Sequence, residues 1–507
     1  MKELTVDIQA RTGQAPERAK ASRISFSTVE AGVALVAIVA GFVAAFRLLS
    51  RGVFFDEYFT LAMTNPGQSV QQFVDVLKLD AHPALHFLVI WMMRLLGLED
   101  IAALRAANLL GVPVLIWGLW FSVRHNTLTR TQAWTIAALC ASSAIFLDGF
   151  AETRSYFMQA CASTTLVLSW RVVARRIETG GTLDAGLLTA WGLPLAMLSN
   201  LHYFGMILGG LMTATLLYDL LRAKRMRDLI IVALVSALAA APALILVAMQ
   251  MGHQPAHFWI ETTPEHSLEI YIQFMRGVIV NNLAVFAFAV AAVFQVTASR
   301  TERNEARTTL ILAMTVVAFF SLLFVINILK PVIIPRYLTP AIGPIIVVSA
   351  LLALGKNATK WTSVAISVCA LLAVAEAIAT KKHFRDGWDV SAAKVAGIVA
   401  ACPDTKVFVE SHRGDSKDDV LDNTGRAAGY AYWKARDHLP ITEILPGSTI
   451  PAGDKCPNLF WAEHTFVEQA QGLDVNGMLK RHGLTAAGPT SLEYVSSGAI
   501  ITVGKAQ

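Results

Sequence analysis

The segment Ala84–Gly97 reads ALHFLVIWMMRLLG. It is apolar, yet at 14 residues it falls short of the roughly 20 that an α-helix needs to cross a bilayer. Whether it crosses sets the sidedness of everything after it. Basic clusters on short loops supply a test, because Lys and Arg favour the cytoplasmic side. Five such clusters follow, at Arg124–Arg130, Arg171–Arg176, Arg222–Arg227, Arg300–Arg307 and Lys356–Lys360. If Ala84–Gly97 is a short outer-leaflet or re-entrant helix, the crossings fall near 29–49, 103–123, 131–148, 155–173, 185–199, 201–221, 228–249, 275–297, 308–328, 337–354 and 361–380. All five clusters then lie inside. If the segment crosses, all five lie outside. The reading adopted is about eleven transmembrane helices, with the N-terminus in and the C-terminus out.

Composition agrees with a polytopic α-helical membrane protein. The 507 residues are 55% hydrophobic and 16% charged, against roughly 25% charged in soluble domains. Mean hydropathy is +0.52, and the net charge of +5 is modest. The basic clusters act as orientation signals, so nucleic acid is not an expected partner. No cleavable signal peptide is apparent: residues 1–28 form a polar, basic tail expected to be cytoplasmic, and the first apolar run, Val29–Leu49, is long enough to span. A helical bundle implies an inner membrane rather than an outer-membrane barrel.

Working outward from Ala84, the first outer loop carries VFFDEY at Val53–Tyr58 and Asp80-x-His82-Pro83 at its end. Apolar residues recur at helical spacing within 57–64 and 70–79, which predicts juxtamembrane helices lying along the surface. The transmembrane unit is read as 29–380. Residues 381–507 regain charge and turn residues and contain no spanning run. Short strands are expected at Lys406–Glu410 and Asn458–Ala462, a helix at Trp388–Ala401, and a closing hairpin over Tyr494–Val503. This describes a small extracytoplasmic α/β domain. Cys402 and Cys456 lie in it and are compatible with a disulfide in an oxidising compartment. Cys140, Cys161 and Cys369 lie in apolar runs as packing residues. No Cys/His spacing fits a metal site.

The topology gathers polar groups on the outer face: Asp56 and Glu57; Asp80, His82 and His86; Asp148, Glu152, Arg154 and Tyr156; Asn200, His202 and Tyr203; His253, His257 and Trp259; and Lys330, Arg336 and Tyr337. Ionisable groups next to apolar segments are costly and call for a partner or a task. Each also has a plain structural explanation. Acids suit a helix start, and Arg and Tyr anchor at interfaces. His202-Tyr203 sits at the tip of a helical hairpin, and the His253–His266 loop reads as a cover over the membrane. The chemical reading gives a carboxylate that accepts a proton and arginines whose planar forks grip phosphate.

These motifs, in order, resemble the GT-C superfamily of membrane glycosyltransferases. An Asp-Glu pair follows the first span, then come Asp80-x-His82-Pro83, Glu152-x-Arg154-x-Tyr156, and Arg336-Tyr337-Leu338-x-Pro340. The closest branch is the bacterial one akin to protein O-mannosyltransferase, aminoarabinose and lipopolysaccharide galacturonosyl transferases. The resemblance implies a polyprenyl-phosphate sugar donor and inverting transfer to an acceptor hydroxyl on lipid A, core oligosaccharide, a polysaccharide or a protein. No separate cofactor is implied. Carried over by motif, Asp56 is the base and Glu57 supports it or orients the acceptor. Arg154 and Arg336 neutralise the leaving phosphate, with His82 and Tyr337 as secondary contacts. Asp80, Glu152, Tyr156, His202 and Tyr203 complete the expected binding set. One departure is Ala84, where the family often has a second proline. The rival reading is a lipid or lipid-linked sugar flippase; the absence of repeat symmetry speaks against it.

Overall fold

The computed structural model describes residues 28–251, 264–275, 303–330, 332–354, 360–380, 388–411, 420–463 and 465–504. The expected crossing at 275–297, apart from its first residue, and the His253, His257 and Trp259 loop lie outside the described residues, as does most of the N-terminal tail.

Helix α1 (Thr28–Leu48) is the first long apolar helix. The loop after α1 then forms α2 (Phe55–Met63) and α3 (Val70–Leu77). Both are short; α3 is half-buried, as the spacing predicted, whereas α2 is buried along most of its length and covered by the C-terminal unit instead of lying on the surface. Their apolar faces meet through Phe59, Met63, Phe73 and Leu77, joined by Phe87 and Trp91 of α4 (Leu85–Leu95).

The deciding segment forms a helix too short to cross a bilayer by itself. Helix α4 has 11 residues, about 16 Å at 1.5 Å per residue, against a hydrocarbon core of ~30 Å. Both of its ends stay near α2. His86, in its first turn, lines a small cavity with Arg154. At its other end the Arg94 guanidinium donates to the carbonyls of Leu61 and Thr64, closing the C-terminus of α2.

The following apolar tract is built in pieces: α5 (Ile101–Arg105), a 3-10 turn at Ala106–Leu110, and α6 (Gly111–Arg124). The tract expected at 131–148 is two helices, α7 (Arg130–Ser142) and α8 (Ala144–Phe150), broken where Ser143 takes an extended conformation. Helices α10 (Ala185–Leu201) and α11 (Tyr203–Arg222) are separated by His202 alone, also extended. Then come α12 (Met226–Gln250), the helix Arg303–Leu329, a 3-10 turn at Pro335–Ala341 leading into Ile342–Ala353, and Lys360–Thr380. Among the described residues seven helices are long and apolar enough to cross a membrane.

The axis of the bundle is α9 (Tyr156–Glu178), buried along almost its whole length. Its middle, Ala160–Thr165, consists of small and hydroxylated residues with no exposure. Such residues let helices approach closely in a membrane. At Gly118 of α6 an added Cβ would meet Thr165, and at Gly343 it would meet the Ser163–Thr164 backbone.

The C-terminal unit has strands β1 (Val407–Glu410), β2 (Ile441–Ile444), β3 (Thr449–Ile450), β4 (Asn458–Ala462), β5 (Thr485–Ala486), β6 (Thr490–Val495) and β7 (Gly498–Val503); a five-stranded mixed sheet has the order β2-β1-β4-β7-β6, and β3 pairs with β5. Strand β1 runs parallel to its neighbours, and β6–β7 is an antiparallel hairpin. Cys402, just past the helix Trp388–Ala401, forms a disulfide with Cys456 before β4. One continuous apolar core joins this unit to the loop after α1. Trp388, Trp433 and Trp461 share it with Val53, Tyr58 and Leu104. The C-terminal unit therefore sits at the same end of the bundle as α2.

Candidate active site

Asp56 and Glu57 are adjacent on the first turn of α2, and their side chains serve different surroundings. Glu57 is fully buried. Its Oε2 returns to accept from the Phe54 N–H at 2.9 Å, fixing the helix start. Its two oxygens also take a fork from Arg105, with Nε at 2.8 Å and Nη2 at 2.6 Å. Thr153 adds its backbone N–H at 2.7 Å and its hydroxyl at 3.0 Å. Burial alone would push this carboxyl up; Arg105 and the backbone donors outweigh it and hold the group down at about 2. Arg105 spends its remaining donors on the carbonyls of Leu49, Arg51 and Gly52, the chain emerging from α1. Glu57 thus ties the exit of α1, the start of α2 and the Thr153 turn into one buried knot.

Asp56 faces the other way. Its Oδ2 lies 2.7 Å from Arg336 Nη2 and 3.4 Å from Arg154 Nη2. The two arginines come from segments far apart in sequence, and each is backed by an aromatic ring. Arg336 lies over Phe54 at 5.0 Å and Arg154 over Phe59 at 6.0 Å, both rings belonging to the α2 region.

The turn bearing Arg154 is held as firmly as the carboxylates. Asn108 Nδ2 donates to the carbonyls of Gly149, Phe150 and Glu152. Arg51 pairs with Asp148 and Glu152 at 3.3 Å each. Glu152 is therefore engaged in bracing, while Tyr156 is buried at the first position of α9.

A ring cluster adjoins the carboxylate and arginine group. His82 lies 5.4 Å from His202 and 5.6 Å from Tyr337, and His202 lies 4.9 Å from Tyr337. Asp80 Oδ1 sits 3.2 Å from His82 Nδ1. His202 caps α11, its Nδ1 accepting from the Phe204 N–H at 3.1 Å. Tyr203 acts at one remove. Its hydroxyl donates to Gln250 Oε1 at 2.6 Å, and Gln250 Nε2 donates to the carbonyls of Leu77 and His82. The cavity that His82, His86, Arg154 and Tyr156 help to line has room for about one water. Among the described residues, no group of three His, Cys, Asp or Glu side chains is placed to hold a metal ion.

The structure so brings Asp56, Arg154, Arg336, Tyr337, His82, His202 and Asp80 to one place. Glu57, Glu152 and Tyr203 serve as braces around it. Sequence reasoning passed over Arg105, Thr153 and Tyr58. Arg105 carried a signal: like Arg336, it is an arginine at the end of an apolar tract that the charge pattern assigns to the outer side.

No protein-family model matches the sequence, and no curated protein matches it. Solved structures do match. Two crystal structures of ArnT from Cupriavidus metallidurans, one in the apo state and one bound to undecaprenyl phosphate, align over 94% of this chain and 99% of theirs. The TM-score is 0.53 in each case, at 12% and 14% identity. The chain shares the fold of ArnT. In this fold the juxtamembrane helices, the α9 axis and the C-terminal unit surround the Asp56 group, and the chain is a multi-pass membrane protein.

Proposed function

We propose that the protein is an integral membrane glycosyltransferase of the bacterial inner membrane. It would move a sugar from a polyprenyl-phosphate donor to an acceptor hydroxyl, with inversion, on the periplasmic face. The observation that carries this reading is the convergence of Arg154 and Arg336 on Asp56 Oδ2. Two guanidiniums backed by rings offer a seat for the phosphate of a lipid-linked sugar. A phosphate arriving there competes with Asp56 for the same donors and releases the carboxylate towards the acceptor. The acceptor oxygen then bonds to the anomeric carbon as the carbon–oxygen bond to phosphate breaks. Its proton passes to Asp56, and the phosphate leaves with its electron pair, its charge met by the arginines.

In this reading His82, held by Asp80, contacts the sugar together with Tyr156, His202 and Tyr337. Glu57 is a positioning residue, because its carboxylate is held by Phe54, Arg105 and Thr153 of the fixed frame. The acceptor is a glycolipid, glycan or protein reached from the membrane surface. ArnT bound to undecaprenyl phosphate supplies a precedent for a polyprenyl phosphate in this fold.

The test is transfer by purified protein from a panel of radiolabelled polyprenyl-phosphate sugars to membrane acceptors. Asp56→Asn should cut transfer by about 10²–10⁴-fold while leaving polyprenyl-phosphate binding intact. Transfer at the wild-type rate by that variant would overturn the base assignment. Lipid movement across vesicles without transfer or donor hydrolysis would favour a flippase.

A further inference from the structure

A second cavity of about 550 Å³ lies away from Asp56, between α1, α6 and α7, and its lining is almost wholly apolar. It follows α7 from Arg130 to Ala141 and α6 from Val123 to Val112, about 16 Å of helix, which is the depth of one leaflet of a ~30 Å hydrocarbon core. Its two ends differ. Towards the Asp56 face it is closed by Phe146, Phe150 and Phe157, with ring centroids 5.6 Å and 5.1 Å apart about Phe157. Beyond them Arg51 pins Asp148 of α8.

The opposite end is basic. Arg130 lines the cavity there, and both it and Arg124 are exposed. The Arg124 guanidinium lies over Trp120 at 5.2 Å, and Trp120 and Trp134 both line the wall. Tryptophans with arginines mark the headgroup level of a bilayer. The side is open to lipid through Leu35 and Ile116, which are 49% and 60% exposed.

We propose that this cavity holds one acyl chain of an anionic phospholipid from the leaflet opposite the Asp56 face, with its phosphate on Arg130. A chain entering from the Asp56 side would have to pass the three phenyl rings, whereas one entering beside Arg130 meets a matching charge. The site is thus separate from the one proposed for the donor.

The experiment is native mass spectrometry of the full chain, transferred from nanodiscs of phosphatidylglycerol or phosphatidylcholine through a graded delipidation. Wild type should retain one phosphatidylglycerol about ten-fold longer than phosphatidylcholine. Arg130→Gln should remove that preference. Ile116→Trp, which fills the cavity from its lipid-facing side without entering the packed core, should abolish retention of both. Its fold is checked by an unchanged elution profile, and Ala137→Leu provides a second filling from within. Equal retention of the two lipids by wild type, or undiminished retention by both filled variants, would overturn the proposal. So would displacement of phosphatidylglycerol by farnesyl phosphate at equal concentration, which would instead make the cavity a polyprenyl-tail groove.

Discussion

The Tyr58 hydroxyl accepts a 2.7 Å hydrogen bond from Trp433 Nε1, so the C-terminal unit grips α2 within one helical turn of Asp56. The ring of Tyr58 also packs against Trp388 at 4.8 Å and Tyr432 at 5.7 Å, and the residue is wholly buried. The appended domain thus serves as the rear wall of the candidate site.

Tyr58→Phe keeps the ring but leaves the Trp433 N–H buried without this acceptor. The expected cost is about 1–3 kcal/mol, read as a lower thermal unfolding midpoint in detergent. Turnover should fall more than the apparent affinity for donor, because α2 is loosened while the arginines stay in place. Unchanged stability and turnover would mean the clamp has no mechanical part in the site.

Removing one member of the Glu57–Arg105 pair strands a buried charge. Glu57→Gln should destabilise the protein by about 3–5 kcal/mol. Glu57→Met combined with Arg105→Met should recover a large part of that loss. The comparison separates a bracing role from a chemical one: recovered stability with recovered polyprenyl-phosphate binding fits a brace.

The same carboxyl sets a pH dependence. Its folded-state value is depressed, from 4.5 to about 2. The stabilisation is therefore complete above pH ~4.5 and is lost as the pH falls through ~2. It amounts to about 3 kcal/mol. Unfolding followed by tryptophan fluorescence between pH 5 and 2 should steepen in wild type relative to Glu57→Gln. Parallel curves would assign the acid sensitivity to other groups.

Arg336→Lys tests the geometry of the proposed phosphate seat. A lysine keeps the charge but loses the planar fork and its stacking on Phe54. Polyprenyl-phosphate binding should weaken by about ten-fold, with the fold intact. Asp56→Asn should bind normally and lose transfer by about 10²–10⁴-fold.

The Cys402–Cys456 disulfide closes a sequence separation of 54 residues within the C-terminal unit. Chain-entropy reasoning assigns it about 4 kcal/mol. Cys402→Ser should lower the unfolding midpoint, and reductant should lower the wild-type midpoint but not that of the variant.

Much of this was legible in the sequence because it rests on counting. Too few apolar residues in Ala84–Gly97 marked a helix shorter than a span, and α4 has 11 residues. Asp56, Arg154 and Arg336 stood out because charge beside apolar tracts needs a reason, and they do meet. What stayed hidden depends on direction. Asp56 and Glu57 are neighbours in sequence, and only side-chain orientation separates the group facing two arginines from the one buried in the frame. Arg105 read as the start of an apolar tract, and its fork with Glu57 spans 48 positions. The break at Ser143 inside an apolar run also left no mark, since Ser143 bears neither the φ lock of proline nor the freedom of glycine. The junction of Tyr58 with Trp433 crosses 375 positions, and no local pattern encodes it.

Helix α9 has a consequence for how the protein is made. Its hydroxyl-rich middle is screened on all sides by other helices, and the helix does not reach the hydropathy of a self-sufficient span. Alone in lipid, its polar side chains would gain little from the bilayer. Its retention in the membrane must therefore await the helices that cover it, and α10, α11 and Ile342–Ala353 are synthesised after it. Biogenesis is then ordered from the outside inward: the segment at the centre of the finished bundle is among the last to be secured.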